Sequence, residues 1–157
     1  MQIEKFHLID RITDLDFAER TIDTEAAVPA TSTIFEGHFP GHPLLPGVLL
    51  IETMAQSAGW LIIALTQFKR MPFLAAVREA KFRTFVQPGQ NLVGAATIAH
   101  EGSGYYIADT QILLNGRQIC SASITFRLMP FPSIDFENRM RDHAEGLNFP
   151  FKALADG

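Results

Sequence analysis

The chain has 157 residues, 47% of them hydrophobic and 19% charged, which suits one folded domain with a sizeable core and excludes a disordered chain. A single cysteine, Cys120, excludes an internal disulfide framework and a multi-cysteine zinc site, and fits a reducing compartment. The net charge is −4, yet Lys69, Arg70, Arg78, Lys81 and Arg83 fall in one short stretch against a single acid, Glu79. That stretch carries +4 and leaves −8 to the rest, so it reads as a dock for one anionic partner or as a solvated face, not as a general nucleic-acid surface. The opening MQIEKFHLID has charges where a secretion signal needs an apolar core. Glu52, Gln56 and Ser57 interrupt the best apolar run, which is expected to fall short of a membrane span. The expected compartment is the cytoplasm.

In chain order, a short helical lead precedes two strands between Ile12 and Val28, with the polar residues Asp14 to Glu19 around their turn. Ala27 to Ser32 is a connector. Phe35 to Pro46 then gathers prolines and glycines around His38 and His42. Pro46 suits a first helical position, where its missing N–H costs nothing, and predicts a helix from Gly47 to about Phe68. That helix is apolar nearly all round, as buried helices are, but it carries Glu52. Glu52, Gln56, Gly59 and Ile63 share one face by their spacing. Strands follow at Phe73–Glu79 and Lys81–Gln87, read as one long bent strand, then at Leu92–His100 and Tyr105–Leu114. Asn115-Gly116 predicts a type I′ hairpin turn. In the last strand Cys120, Ala122, Ile124 and Phe126 face one way and Ser121, Ser123, Thr125 and Arg127 the other. After Met129 the composition shifts to a proline-rich tail, with a short helix at 133–145 capped by Ser133 or Asp135. The predicted class is α+β: one antiparallel sheet wrapped around one helix in residues 1–129, followed by the tail 130–157. Exposed sheet edges make a dimer the expected state.

Two residues carry candidate chemistry. His38 sits in a loop stiffened by its neighbours; it is either a structural hydrogen-bonding residue or a positioned base. Pro40 and Pro43 forbid a helix that would make His38 and His42 a metal pair, so no metal site is expected. Burial disfavours a charged carboxylate, making Glu52 a candidate proton donor, or else an acid bonded to Gln56 or to an arginine. A histidine base and a protonated carboxyl suit removal of a proton α to a carbonyl with loss of a β-hydroxyl. The start of the Gly47 helix would offer N–H groups to the resulting oxyanion. No nucleophile elbow, dinucleotide motif or phosphate loop is present, and no cofactor is implied.

Gly37-His38-Phe39-Pro40-Gly41-His42-Pro43, then Pro46-Gly47-Val48-Leu49, then Glu52 and Ala55-Gln56 closely resemble the hot-dog-fold 3-hydroxyacyl-[acyl-carrier-protein] dehydratases of the FabZ type. Asp10-Arg11-Ile12, Ala80-Lys81-Phe82-Arg83 and Val86-Gln87-Pro88-Gly89 extend the likeness, which covers residues 8 to about 127. The resemblance implies dehydration of (3R)-3-hydroxyacyl-[acyl-carrier-protein] to the trans-2-enoyl thioester. His38 would take the C2 proton and Glu52 would protonate the leaving hydroxyl. Gly47, Val48, Gln56 and Phe73 would contact substrate, and Lys69, Arg70, Arg78, Lys81 and Arg83 would dock the acidic carrier. It implies homodimers, and hexamers as trimers of dimers, whose sites take histidine from one chain and glutamate from the other. Two departures stand out: Phe73 replaces the usual gating tyrosine, and the tail has no counterpart. VPATSTIFEGHFPGHPLLPGVLLIETMAQ with its flanking MPF pairs resembles an alphaproteobacterial branch serving the very-long-chain hydroxy fatty acids of lipid A. The competing readings are a hot-dog acyl thioesterase and a non-catalytic acyl-binding module.

Overall fold

The computed structural model describes residues 1–155. Six strands, β1 (Arg11–Asp16), β2 (Thr21–Ala27), β3 (Met71–Phe82), β4 (Asn91–Gly102), β5 (Tyr105–Leu114) and β6 (Arg117–Met129), form one antiparallel sheet in the order β1-β2-β4-β5-β6-β3. Three helices accompany them: α1 (Thr33–Gly37), α2 (Gly47–Leu65) and α3 (Ile134–Gly146). The sheet curls around α2, which packs on β2 through β6. This is the wrapped-helix architecture predicted above.

Alternation places the inner face of each strand. Ala108, Thr110 and Ile112 on β5 and Cys120, Ala122, Ile124 and Phe126 on β6 are buried against α2. The helix comes close to β4 because Gly94 has no side chain: a Cβ there would lie 2.5 Å from Thr24 Oγ1 and 2.8 Å from Ser57 Oγ. Ser57 donates to Thr53 O at 2.9 Å and accepts from Thr24 at 2.8 Å, so the polar atoms buried at this crossing are satisfied. Asn115 and Gly116 both have positive φ, 51° and 75°, as the hairpin turn requires.

Four expectations need correction. The helix α2 ends at Leu65, not Phe68, because Gln67 and Phe68 take positive φ and the Phe68 N–H folds back to Ile63 O. The long strand runs Met71–Phe82 and bends at a bulge between Arg78 and Lys81; Arg83 N still donates to Ile119 O of β6, but residues 84–87 leave the sheet, and Val86 O accepts from Leu45 N instead. The short helix α1, capped by Ser32, stands where only a connector and loop were foreseen. Finally, α2 is long and apolar enough to cross a membrane; what marks it as a core helix is its burial inside the sheet.

The tail folds back on the domain. Ser133 caps α3 by accepting from Phe136 N. Ala144, Leu147 and Phe149 enter the main core, and Ile12 N donates to Leu147 O at 2.7 Å. Phe68, only 1% exposed, is enclosed by Phe131, Phe149 and Phe151 of the tail, with the Arg141 guanidinium 4.2 Å from its ring centre.

Candidate active site

The predicted face of α2 lines a cavity of about 300 Å³. Glu52, Gln56, Gly59 and Ile63 form one side, with Ala55 and Trp60 beside them. The other walls come from Phe6 and His7, from Met71, Pro72 and Leu74 of β3, from Phe126 of β6, and from Met140 and His143 of α3. Glu52 is half-buried, and its Oε1 accepts from Gln56 Nε2 at 3.0 Å. The same Nε2 donates to Phe6 O at 2.8 Å, while Gln56 Oε1 accepts from Leu8 N at 2.9 Å. Gln56 thus fixes the Glu52 carboxyl and pins the N-terminal segment to α2 with one amide.

His38 follows α1 directly. Its backbone N–H donates to Ile34 O, its carbonyl accepts from Leu44 N, and Phe39 and His42 exchange two backbone hydrogen bonds across the turn. The His38–Phe39 peptide bond is cis, and Gly41 takes φ 71° at the turn. The ring is half-buried and stacks on Phe39 at 4.2 Å. Its Nδ1 lies 2.9 Å from Leu44 O. A carbonyl oxygen can only accept, so Nδ1 carries a proton, and in the neutral ring the free lone pair is on Nε2. That is the tautomer a base needs. His38 lines a second cavity, of about 390 Å³, with Phe39, Gly47, Phe82, Arg83 and Phe85 among its walls. At the start of α2, Leu49 N donates to Pro46 O, while the N–H groups of Gly47 and Val48 have no partner among the described residues. They are free to bind an oxyanion.

The FabA-like domain family matches residues 2–123. The 3-hydroxyacyl-[acyl-carrier-protein] dehydratase FabZ of Latilactobacillus sakei is 36% identical over 120 residues, covering 76% of this chain and 85% of its own length. The dehydratase of the same name from Clostridium acetobutylicum is 36% identical over 123 residues, covering 78% and 86%. The chain belongs to the FabZ-type 3-hydroxyacyl-[acyl-carrier-protein] dehydratases. Among solved structures, the conserved protein PA5202 of Pseudomonas aeruginosa superposes with a TM-score of 0.62 at 13% identity, over 76% of this chain and 87% of that one. A hypothetical thioesterase of Streptococcus pneumoniae, solved with coenzyme A, gives 0.60 at 15% identity, over 76% and 88%. At such identities the likeness carries the fold alone, and that fold is the hot-dog architecture this dehydratase family was expected to bring.

For a FabZ-type chain, the two residues foreseen as acid and base stand apart: their cavities share no lining residue. Gly47 lines the His38 cavity with its Cα beneath the Phe82 ring. Val48 is 70% exposed and lines neither cavity. Phe73 also lines neither, although Met71, Pro72 and Leu74 beside it on β3 all line the Glu52 cavity. The five basic residues are all exposed but do not make one patch within the chain. The strand between them spans roughly 35 Å, leaving Lys69 and Arg70 at one end, Lys81 and Arg83 at the other and Arg78 between. Of these, Arg83 lines the His38 cavity.

Cys120 is fully buried, and desolvation pushes its thiol up to about 11, which leaves it unreactive. Among the described residues no cluster of three His, Cys, Asp or Glu side chains could hold a metal. The sequence reading missed Phe6, His7, Trp60, Met140 and His143 as cavity residues. Trp60 could have been found, since it lies two turns along α2 from Glu52. The others depend on docking of the two chain ends.

Proposed function

We propose that this chain dehydrates 3-hydroxyacyl thioesters of acyl-carrier protein in fatty acid biosynthesis, using His38 and Glu52 from two different subunits. Family membership makes it a hydro-lyase; the relatives named above are dehydratases of that substrate. The observation that carries the two-subunit reading is that His38 and Glu52 line separate cavities in one chain. A second chain is invited by the edge strand β3, which bears exposed Phe73, Leu74 and Phe82 and has no strand partner on its outer side among the described residues.

In this reading the free Nε2 of His38 removes a C2 proton from the (3R)-3-hydroxyacyl chain. Charge grows on the thioester oxygen, where the unpaired N–H groups at the start of α2 and its positive dipole end are poised to receive it. Glu52, held by Gln56, gives its proton to the C3 hydroxyl as the C–O bond breaks, releasing water and the trans-2-enoyl thioester. The proton on His38 then returns to the Glu52 carboxylate by way of solvent. Lys81 and Arg83, with Arg78 behind them, offer positive charge near the His38 cavity to an acidic carrier. Lipid A chain lengths and the hexameric assembly belong to the same proposal and rest on sequence likeness only.

Replacing His38 by Ala or Glu52 by Gln should leave the fold intact and reduce enoyl formation by about 10²–10⁴-fold, the usual worth of a general acid or base. Turnover close to that of the unaltered chain in either folded variant would sink the assignment. A thioesterase would instead release free carrier thiol from the same substrates, and a binding module would retain them unchanged.

A further inference from the structure

The family match stops at residue 123, and α3 begins at Ile134. Two of its residues nevertheless complete the Glu52 cavity. Met140 and His143 are three positions apart on one face of α3, and both line the cavity. The His143 ring stacks on His7 at 4.1 Å and lies 5.8 Å from Trp60. From Glu52, the α2 wall runs past Gln56 and Gly59 to Trp60 and Ile63. At about 1.5 Å per residue, Trp60 stands roughly 12 Å along the helix from the carboxyl. A chain whose reacting carbons sit at Glu52 and which follows α2 therefore meets α3 at Trp60.

We propose that α3 is the far wall of the acyl cavity, and that Met140 and His143 set how much hydrocarbon the site accepts. The inference rests on the dehydratase reading above and names the specificity determinant of the same site. The cavity suits hydrocarbon: apart from Glu52, Gln56, His7 and His143, its lining side chains are apolar or absent. The wall is also firm, because the segment that ends α3 is locked into the core by Ala144, Leu147 and Phe149 and by the bond from Ile12 N to Leu147 O. A yielding wall would select nothing; one whose backbone is tied at both the core and β1 selects by side-chain size.

The test is kcat/KM measured over a series of short to long 3-hydroxyacyl chains on carrier protein, for the unaltered enzyme and for Met140→Ala, Met140→Trp and His143→Ala. Shortening either side chain should raise the ratio of long-chain to short-chain kcat/KM by about tenfold or more, and Met140→Trp should lower it by a similar factor, the usual worth of a methylene-sized change in an apolar pocket. Short-chain turnover that persists in every variant while the long-to-short ratio stays unchanged overturns the wall and leaves the dehydratase reading standing. Absence of enoyl formation with any chain length in the unaltered enzyme overturns both. Met140→Cys adds a readout that needs no turnover. Cys120 is buried and unreactive, so a maleimide reports on position 140 alone, and long acyl thioesters should protect it where short ones do not. Equal labelling with and without long chains counts against the wall.

Discussion

Gln56 shows how much one side chain can be asked to hold. Its amide uses both N–H bonds and its oxygen: two donors to Phe6 O and Glu52, one acceptance from Leu8 N. Replacing it with Ala strands the Leu8 N–H and Phe6 carbonyl and frees the Glu52 carboxyl. The expected cost is about 1–3 kcal/mol of stability, read from urea or thermal unfolding. A fall in enoyl formation beyond what partial unfolding explains should accompany it. Gln56→Glu should fare no better, since a carboxylate cannot donate to Phe6 O and sets a second acid against Glu52. A variant with unchanged unfolding midpoint and unchanged turnover would contradict both roles.

At the scale of elements, two contacts are tight enough to predict from. The crossing of α2 over β4 depends on Gly94, where an added methyl would press into the Thr24–Ser57 hydrogen bond. Gly94→Ala should cost about 1–3 kcal/mol by overpacking, measured by chemical denaturation, with the sheet and helix retained. The docking of α3 is sensitive to acid instead. Burial, and then the neighbouring His7, hold the His143 imidazole below its ordinary value of 6.5. The unfolded or undocked tail therefore binds more protons than the docked one. The stabilisation from His143 is complete above 6.5 and declines as the pH falls below it. The groups facing His143 are His7, Trp60 and, across the cavity, Glu52, the one acid on its lining. The chain's single tryptophan is thus a built-in probe. Trp60 emission should shift as the pH is lowered through that range, and His143→Gln should remove the transition. Identical titrations for both proteins would show that His143 does not govern docking.

The whole molecule is where the His/Glu assignment meets its sharpest trial. A population containing both His38→Ala and Glu52→Gln subunits should regain about a quarter of the original activity, because a dimer with one of each keeps one of its two sites. A site confined to one chain would stay dead in any mixture. The central stretch was legible because its signals are local. Prolines and glycines fix the His38 loop, and the spacing of Glu52, Gln56, Gly59 and Ile63 fixes a helix face, and all four do line one cavity. Other residues were less legible, because their arrangement is not local. The basic residues are dense in sequence but drawn out by an extended strand, and Phe73 lines neither cavity within one chain while its neighbours Pro72 and Leu74 line that of Glu52. Met140 and His143 were illegible, since nothing local announces that a helix so far along the chain will land on Trp60.

The aromatic clasp around Phe68 has a consequence for any shortened form of the chain. Trp60 lies in the last turns of α2 and Phe68 just beyond its end, and the rings that cover them, Phe131, Phe149 and Phe151, all come from the segment after β6. Without that segment the sheet and helix present a bare aromatic patch, and Ile12 N loses the Leu147 carbonyl to which it donates. Cutting the chain after β6 would therefore leave a domain prone to self-association through the apolar surface that the tail covers.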